Sequence, residues 1–572
     1  MSTTLRTARG PLLQPGRTCW TVAPVFTSGL LIDGRDYFRE FHRAAQAARR
    51  SILLAGWQFD TNVALLRGKD RTGSPEDVLL LPFLRSLCRG NPDLRIYLLC
   101  WDYSPAYFFQ REWLQDFKFN WSEPGIRFRF DDRHAVGASH HQKFAVIDGS
   151  LAFVGSIDFC NHRWDRRDHE LQCEERCSPA GVDVSGPYHE VQAYFTGPAA
   201  TQLVELFEAR WTLSGGTPLQ LPPPQPVDVR IRPSARIGGG EVGLSRTMAR
   251  TLEPPHPPIR EIRRLHVDAI LNADHSIFIE NQYFGSRAIF DALCRRFART
   301  DRPPLEVAML YPRELHSVTE QLSVGVQQAA MFRHLQTAAA AGGHRLGIYT
   351  SLSTEPGAEP RGRYIHSKLM IVDDRFMTVG SANTNNRSMG LDSELHVSWE
   401  APRFFPAIRR ARLNLLIEHA GVNPRLGVKL LGAPTGWVEV LDRWATDEQG
   451  SLRLHPITSS LDDNLLVQTL SVEGPIGDPE RAVLEEEIFE EIAPSRRERV
   501  AAGIRRLRRV FGRKGRTEWI VAVNPPAALA RGPSGPWAFL ARTARRWIVP
   551  FILLFLLFLG AWAVIGLLDL FD

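Results

Sequence analysis

His141-Gln-Lys143-Phe-Ala-Val-Ile-Asp148 and His366-Ser-Lys368-Leu-Met-Ile-Val-Asp373 write the pattern H-x-K-x-x-x-x-D twice in one chain of 572 residues. Each runs on into Gly-Ser, at Gly155-Ser156 and Gly380-Ser381, and both pairs are separated by the same 225 residues. The register extends upstream: Ser51-Ile-Leu-Leu-Ala-Gly-Trp-Gln-Phe59 aligns with Ser276-Ile-Phe-Ile-Glu-Asn-Gln-Tyr-Phe284 at the same offset. Further apolar runs follow in parallel, Ile96–Cys100 with Val307–Tyr311 and Ile126–Phe130 with Leu346–Thr350. Short apolar runs alternating with helical patterns predict an α/β fold with a largely buried sheet. A repeat of this length is a domain, not a solenoid unit. The expectation is two duplicated α/β sandwich domains, over 18–235 and 236–425, with a pseudo-twofold cleft between their motifs.

Composition places few limits on this reading. Lys and Arg number 69 against 63 Asp and Glu, for a net charge of +6, and apolar residues make up 44%. The seven cysteines include one close pair, Cys173-x-x-x-Cys177, and no second pair completes a zinc set. Reduced, buried thiols in a cytoplasmic compartment are expected. Met1 to Arg17 lacks the apolar core of a signal peptide. Trp547 to Leu568 is apolar and free of charge, long enough as a helix to cross a hydrocarbon core of ~30 Å. Arg542, Arg545 and Arg546 precede it, so a single-pass C-terminal membrane anchor with a cytoplasmic catalytic region is predicted. Residues 426–540 form an extension. Its basic run Arg505–Lys514 serves either as a solvated helix face or as a contact for anionic lipid, and its nearness to the anchor favours lipid.

Two histidines, two lysines and two aspartates in one pocket point to phosphoryl chemistry. One imidazole can attack phosphorus while the other protonates the leaving alcohol and then activates water. Lys143 and Lys368 would hold the charge that gathers on the phosphoryl oxygens. Gly155-Ser156 and Gly380-Ser381 allow close backbone approach, with the hydroxyls of Ser156 and Ser381 as extra donors. With lysines serving the phosphate, the chemistry requires no metal and no cofactor. His140, next to His141, should face the other side of its strand.

The double motif with its Gly-Ser followers resembles the phospholipase D superfamily, over roughly residues 18 to 420. Ile279-Glu-Asn-Gln-Tyr-Phe284, Arg163-Trp-Asp165, Gly186-Pro-Tyr-His-Glu190, Asn386-Arg-Ser388 and Asp392-Ser-Glu394 are similar to segments of the eukaryotic-type phospholipases D. The resemblance implies His141 as nucleophile, His366 as general acid and base, and Lys143 and Lys368 as phosphate ligands. It implies that Asp148 and Asp373 are largely structural. Asn383 matches an asparagine common two residues after the motif serine, where the first half has Asp158. A carboxylate should fix each imidazole's tautomer. Glu394 fits one half. For the other, a one-residue slip of the repeat favours Glu170, with Asp165 and Asp168 as alternatives.

The leading expectation is a membrane-anchored phospholipase D that hydrolyses glycerophospholipids to phosphatidic acid and an alcohol. The alternatives are a cardiolipin synthase-like phosphatidyltransferase, and a phosphodiesterase acting on nucleic acid. The anchor argues against the last, so the expected partners are a glycerophospholipid and the bilayer, with no nucleic acid. A monomer suffices, because both motifs lie in one chain.

Overall fold

Ser51–Gly56 is a run of small and aliphatic residues, buried along its whole length. Such a strand must be covered on both faces, and its neighbours show how. It pairs in parallel with Arg95–Trp101, which pairs in parallel with Ile126–Asp131, and antiparallel with Phe144–Ile147. Ser276–Glu280 has the same surroundings: Glu306–Leu310 and then Arg345–Ser353 in parallel, and Leu369–Val372 antiparallel. The computed structural model describes residues 10–71, 73–74, 78–102, 112–135, 137–177, 186–252, 255–315, 325–457, 478 and 480.

Both sheets continue alike beyond the motif strands. The first runs through Leu151–Gly155, Val191–Thr196 and Thr27–Ile32. The second runs through Phe376–Gly380, Glu394–Glu400 and Gly240–Met248. Seven strands therefore share one order, and the repeat in the sequence is a repeat in topology. Two additions cross the expected boundaries. Thr21–Val25 pairs with Gly240–Met248 of the second sheet, and Leu452–Leu454 adds to Arg345–Ser353.

The period of two sorts the side chains into layers. Leu53 and Ala55 join Phe278, Ile371, Val379 and Leu395 in a core shared by the two sheets. Ile52 and Leu54 face the other way, into a core with Tyr37, Phe38 and Phe41 of the helix Asp33–Gln46. Ile277 and Ile279 do the same beneath the helices Glu261–Leu271 and Arg287–Phe297. Helices cover the outer face of each sheet, and the helices Pro198–Leu213 and Pro406–Ala420 add Leu203, Phe207, Ile408 and Leu415 to the shared core. All seven cysteines are free, and only Cys177 and Cys294 are less than fully buried.

The motif aspartates build the turns that start these strands. Asp148 accepts hydrogen bonds from the backbone N–H groups of Arg49, Arg50 and Ser51 at 2.8, 2.8 and 2.9 Å. Asp373 accepts from Asp274, His275 and Ser276 at 2.7, 2.7 and 2.9 Å. Both sit at positive φ, 47° and 53°. Each carboxylate ties the turn after the motif strand to the entry of the central strand.

One expectation is corrected. Among the described residues no helix is long and apolar enough to cross a membrane. The longest, Pro198–Leu213 and Val326–Ala341, have 16 residues each, about 24 Å at 1.5 Å per residue against a core of ~30 Å. The transmembrane helix over 547–568 therefore drops out of the fold class, and single-pass membrane localisation with a cytoplasmic catalytic region drops out with it. That segment, the basic run Arg505–Lys514 and the rest of 481–572 lie outside the described residues.

Replacing either motif aspartate strands three backbone donors. Asp148→Ala and Asp373→Ala should each lower unfolding free energy by about 2–4 kcal/mol in urea denaturation. A variant as stable as the parent but inactive would instead move that aspartate into the chemistry.

Candidate active site

The two halves exchange short backbone ties at the cleft. Tyr364–Ile365, just before the second motif, pairs in parallel with Tyr188–His189 of the first half. The His366 N–H then donates to the His189 carbonyl at 2.8 Å. The mirror tie joins His140 to Ser393, and the His141 N–H donates to the Ser393 carbonyl at 2.9 Å. Each tie ends one residue before a buried glutamate. His141 Nδ1 lies 3.0 Å from both oxygens of Glu394, and His366 Nδ1 is hydrogen-bonded to Glu190. Each histidine is thus held by a carboxylate from the opposite half. No described hydrogen bond engages either Nε2.

Glu190 takes the place assigned above to Glu170. Glu170 and Asp168 are about half exposed and pair with Arg166. Asp165 is buried, but it holds His169 and Arg176. The signal for Glu190 was present in the Pro-Tyr-His-Glu segment but was hidden by a change of spacing. Strand register pairs Gly155 with Gln192 and Gly380 with His396. The first interval is 37 residues and the second 16, so the repeat offset falls by 21 to 204. Glu394 minus 204 is residue 190.

Both lysines are buried and return to the carbonyl of their own histidine, Lys143 at 3.1 Å and Lys368 at 2.6 Å. Their other partners differ. Lys143 pairs with Asp158 at 3.1 Å, whereas Lys368 meets the neutral amide oxygen of Gln282 at 3.1 Å. Sequence reading left out one further cation, Arg163. It is buried 3.8 Å from Glu190, and its Nε and Nη1 make no hydrogen bond. Its place beside Trp164 and Asp165 in a quoted motif was the available clue.

These groups share one field. Burial, then Arg163, Lys368, Lys143 and His141, hold His366 well below the ordinary imidazole range. Burial pushes the Lys368 ammonium well down, with Arg163 and Lys143 adding and Glu190 and Glu394 opposing. Burial raises Glu190 to about 8 against the pull of Arg163 and Lys368. Glu394 goes the other way: burial pushes it up, but His141 and the hydroxyls of Ser381 and Ser388 bring the net shift down. The side chain of His141 keeps 17% of its exposure and that of His366 only 5%.

The serines after the motifs turn inward. The Ser156 hydroxyl donates to the Val191 carbonyl at 3.2 Å, and the Ser381 hydroxyl donates to Glu394. Asn383 is buried at 6% exposure, and its Oδ1 makes no hydrogen bond. His140 bonds Ser393 at 2.8 Å and lies 3.2 Å from Asp131, away from the motif pair.

The chain is similar to several known proteins. A family model described as "Cardiolipin synthase, PLD-like domain" matches residues 267–411, which include the second motif. Phospholipase D alpha 1 of Ricinus communis is 23% identical, over 69% of this chain and 66% of its own length. Phospholipase D A of Dictyostelium discoideum is 26% identical, over 64% of this chain and 32% of its own. These similarities support the phospholipase D superfamily. It spans less than two thirds of these relatives. Among solved structures, phosphatidylserine synthase of Haemophilus influenzae Rd KW20 is similar with a TM-score of 0.47 and 14% identity, over 74% of this chain and 94% of that one.

If Glu190 and Glu394 orient the imidazoles, Glu190→Gln and Glu394→Gln should each cut kcat on bis(p-nitrophenyl) phosphate by about 10²–10⁴-fold, while Glu170→Gln leaves it unchanged. The reverse ranking of Glu170 and Glu190 would overturn the cross-half assignment.

Proposed function

We propose that this protein is a phospholipase D, hydrolysing the headgroup-side phosphodiester of a glycerophospholipid to phosphatidic acid and a free alcohol. The observation that carries the reading is the pair of imidazoles, each held at Nδ1 by a buried glutamate, among Lys143, Lys368 and Arg163. Glu394 is kept ionised by two hydroxyls and His141, so it holds the proton of His141 on Nδ1 and leaves the Nε2 lone pair for attack. In the proposed reaction Nε2 of His141 bonds to phosphorus and the P–O bond to the headgroup breaks. His366 donates its Nε2 proton to the departing alkoxide, and Glu190 at its Nδ1, raised to about 8, is the group that can return one to the ring. Water then attacks phosphorus, His366 takes its proton, and the P–N bond breaks. The cations and the N–H groups of Arg163 stabilise the negative charge on the phosphoryl oxygens.

A second reading is a phosphatidyltransferase, in which a lipid alcohol replaces water, and the cardiolipin synthase description of the matching family model favours it. Both reactions pass through the same phosphohistidine. A nuclease was opposed above by the anchor, and that opposition no longer stands.

Mass spectrometry of products from phosphatidylglycerol vesicles separates the readings. Phosphatidic acid with glycerol supports hydrolysis, cardiolipin supports transfer, and turnover of single-stranded DNA without lipid turnover would sink both. His141→Ala should abolish the trapped phosphoenzyme and turnover together. His366→Asn should lose about 10²–10⁴-fold on phospholipid but much less on p-nitrophenyl esters, whose leaving group needs little protonation. A phosphoenzyme trapped at His366 would reverse the two roles.

A further inference from the structure

Behind Glu190 lies a second set of convergent side chains that the phosphoryl chemistry does not use: Asp33, His169, His189 and Glu418. Each has one donor atom anchored and one turned inward. Asp33 Oδ1 accepts the Glu190 N–H at 3.1 Å, and its Oδ2 faces the cluster. Glu418 Oε2 is held by Arg167, which leaves Oε1. His169 Nδ1 is held by Asp165 at 2.9 Å, and its Nε2 turns inward, hydrogen-bonded to Glu418 Oε1 at 3.3 Å. His189 Nε2 is held by Glu280 at 3.1 Å, which leaves Nδ1.

The inward atoms all lie within 4.8 Å of one another. His169 Nε2 lies 3.4 Å from Asp33 Oδ2 and 3.3 Å from Glu418 Oε1, and His189 Nδ1 lies 3.0 Å from Glu418 Oε1. Four ligands around a tetrahedral ion at 2.0–2.1 Å stand about 3.3–3.4 Å apart. Asp33 Oδ2 and His189 Nδ1 are fully buried, yet neither makes an aligned hydrogen bond. The other two inward atoms, His169 Nε2 and Glu418 Oε1, share a hydrogen bond at 3.3 Å, so it is the buried, unsatisfied pair that points to a ligand at the centre. Both histidines also donate their far nitrogen to a carboxylate, the outer-shell arrangement of metal-ligating imidazoles. Asp33 and His169 sit at positive φ, 66° and 47°.

We propose that Asp33, His169, His189 and Glu418 bind one divalent first-row metal ion, zinc by preference, as a structural clamp between the two halves. Two imidazoles and two carboxylates suit zinc, and four protein ligands leave no open position for substrate. Glu418 lies on the helix Pro406–Ala420 of the second half, and the other three ligands come from the first half. His189 directly precedes Glu190, so the ion would fix the strand that brings Glu190 to His366. This site is independent of the catalytic reading and takes no part in phosphoryl transfer.

The test uses the full chain, expressed without a histidine tag in zinc-supplemented medium and dialysed. Elemental analysis should give one zinc per chain, and diffraction at the zinc edge should place the anomalous peak among the four residues. Glu418→Gln and His169→Gln should lose the zinc, and added zinc should then fail to raise their melting temperature. Zinc at the buffer background in the parent protein, or an anomalous peak elsewhere, overturns the proposal and leaves a cluster of imidazolium and carboxylate. The anomalous measurement needs no variant, so a variant that fails to fold does not weaken it.

Discussion

Two imidazoles that are to act on one phosphorus need a fixed proton-bearing ring nitrogen each, and in this protein each Nδ1 is held by a carboxylate from the opposite half. A carboxylate on the same half would leave the halves free to move apart without disturbing either histidine. A carboxylate from the opposite half makes their relative position part of the chemistry. Glu394 reaches His141 and Glu190 reaches His366 only because Ser393 and His189 bond to the backbone of the opposite motif. The shared apolar layer between the two sheets gives this contact its rigidity: Leu53, Phe278, Val379 and Leu395 pack in one core. The cleft is therefore the polar edge of an interface that is otherwise a hydrophobic core.

Much of the fold was legible because the duplicated strands lie at the centre of sheets. Runs such as Ile52–Ala55 and Ile277–Ile279 must be apolar on both faces, so their pattern survives in both copies. The same holds for the motif aspartates, whose carboxylates close equivalent turns with equivalent sets of three N–H groups. Loops carry no such constraint. The interval from Gly155 to its register partner Gln192 is 21 residues longer than that from Gly380 to His396, and a slip of only one residue in the repeat led to the exposed Glu170. Sheet register, which sequence does not display, was needed to reach Glu190. The placement of Thr21–Val25 in the second sheet was hidden for a related reason. An edge strand is claimed by whichever sheet has a free edge nearby, and its own residues do not say which.

The pseudo-symmetry is kept in the backbone and abandoned in the side chains. Ser393 and His189 occupy equivalent positions, 204 residues apart, each directly before its glutamate. The Ser393 hydroxyl bonds His140, which lies against Asp131, itself paired with Arg210. His189 faces Asp33, Glu418 and Glu280. Lys143 has a carboxylate partner where Lys368 has an amide. Glu394 is bonded by two serine hydroxyls, whereas Glu190 Oε2 has no hydrogen bond.

Such divergence follows from what the two histidines would have to do. An attacking imidazole needs a lone pair on Nε2, and a donating imidazole needs a proton there. Identical surroundings would give both rings the same proton affinity and make the two roles interchangeable. Burial differs between them, and so do the charges and hydroxyls that reach their carboxylates. Duplication supplies two imidazoles on a common scaffold, and substitutions one shell out make them unlike. In this chain those substitutions lie mainly on the His366 side, where Arg163, Lys368 and the buried cluster behind Glu190 gather. Loss of symmetry there would let one duplicated motif act as two different reagents.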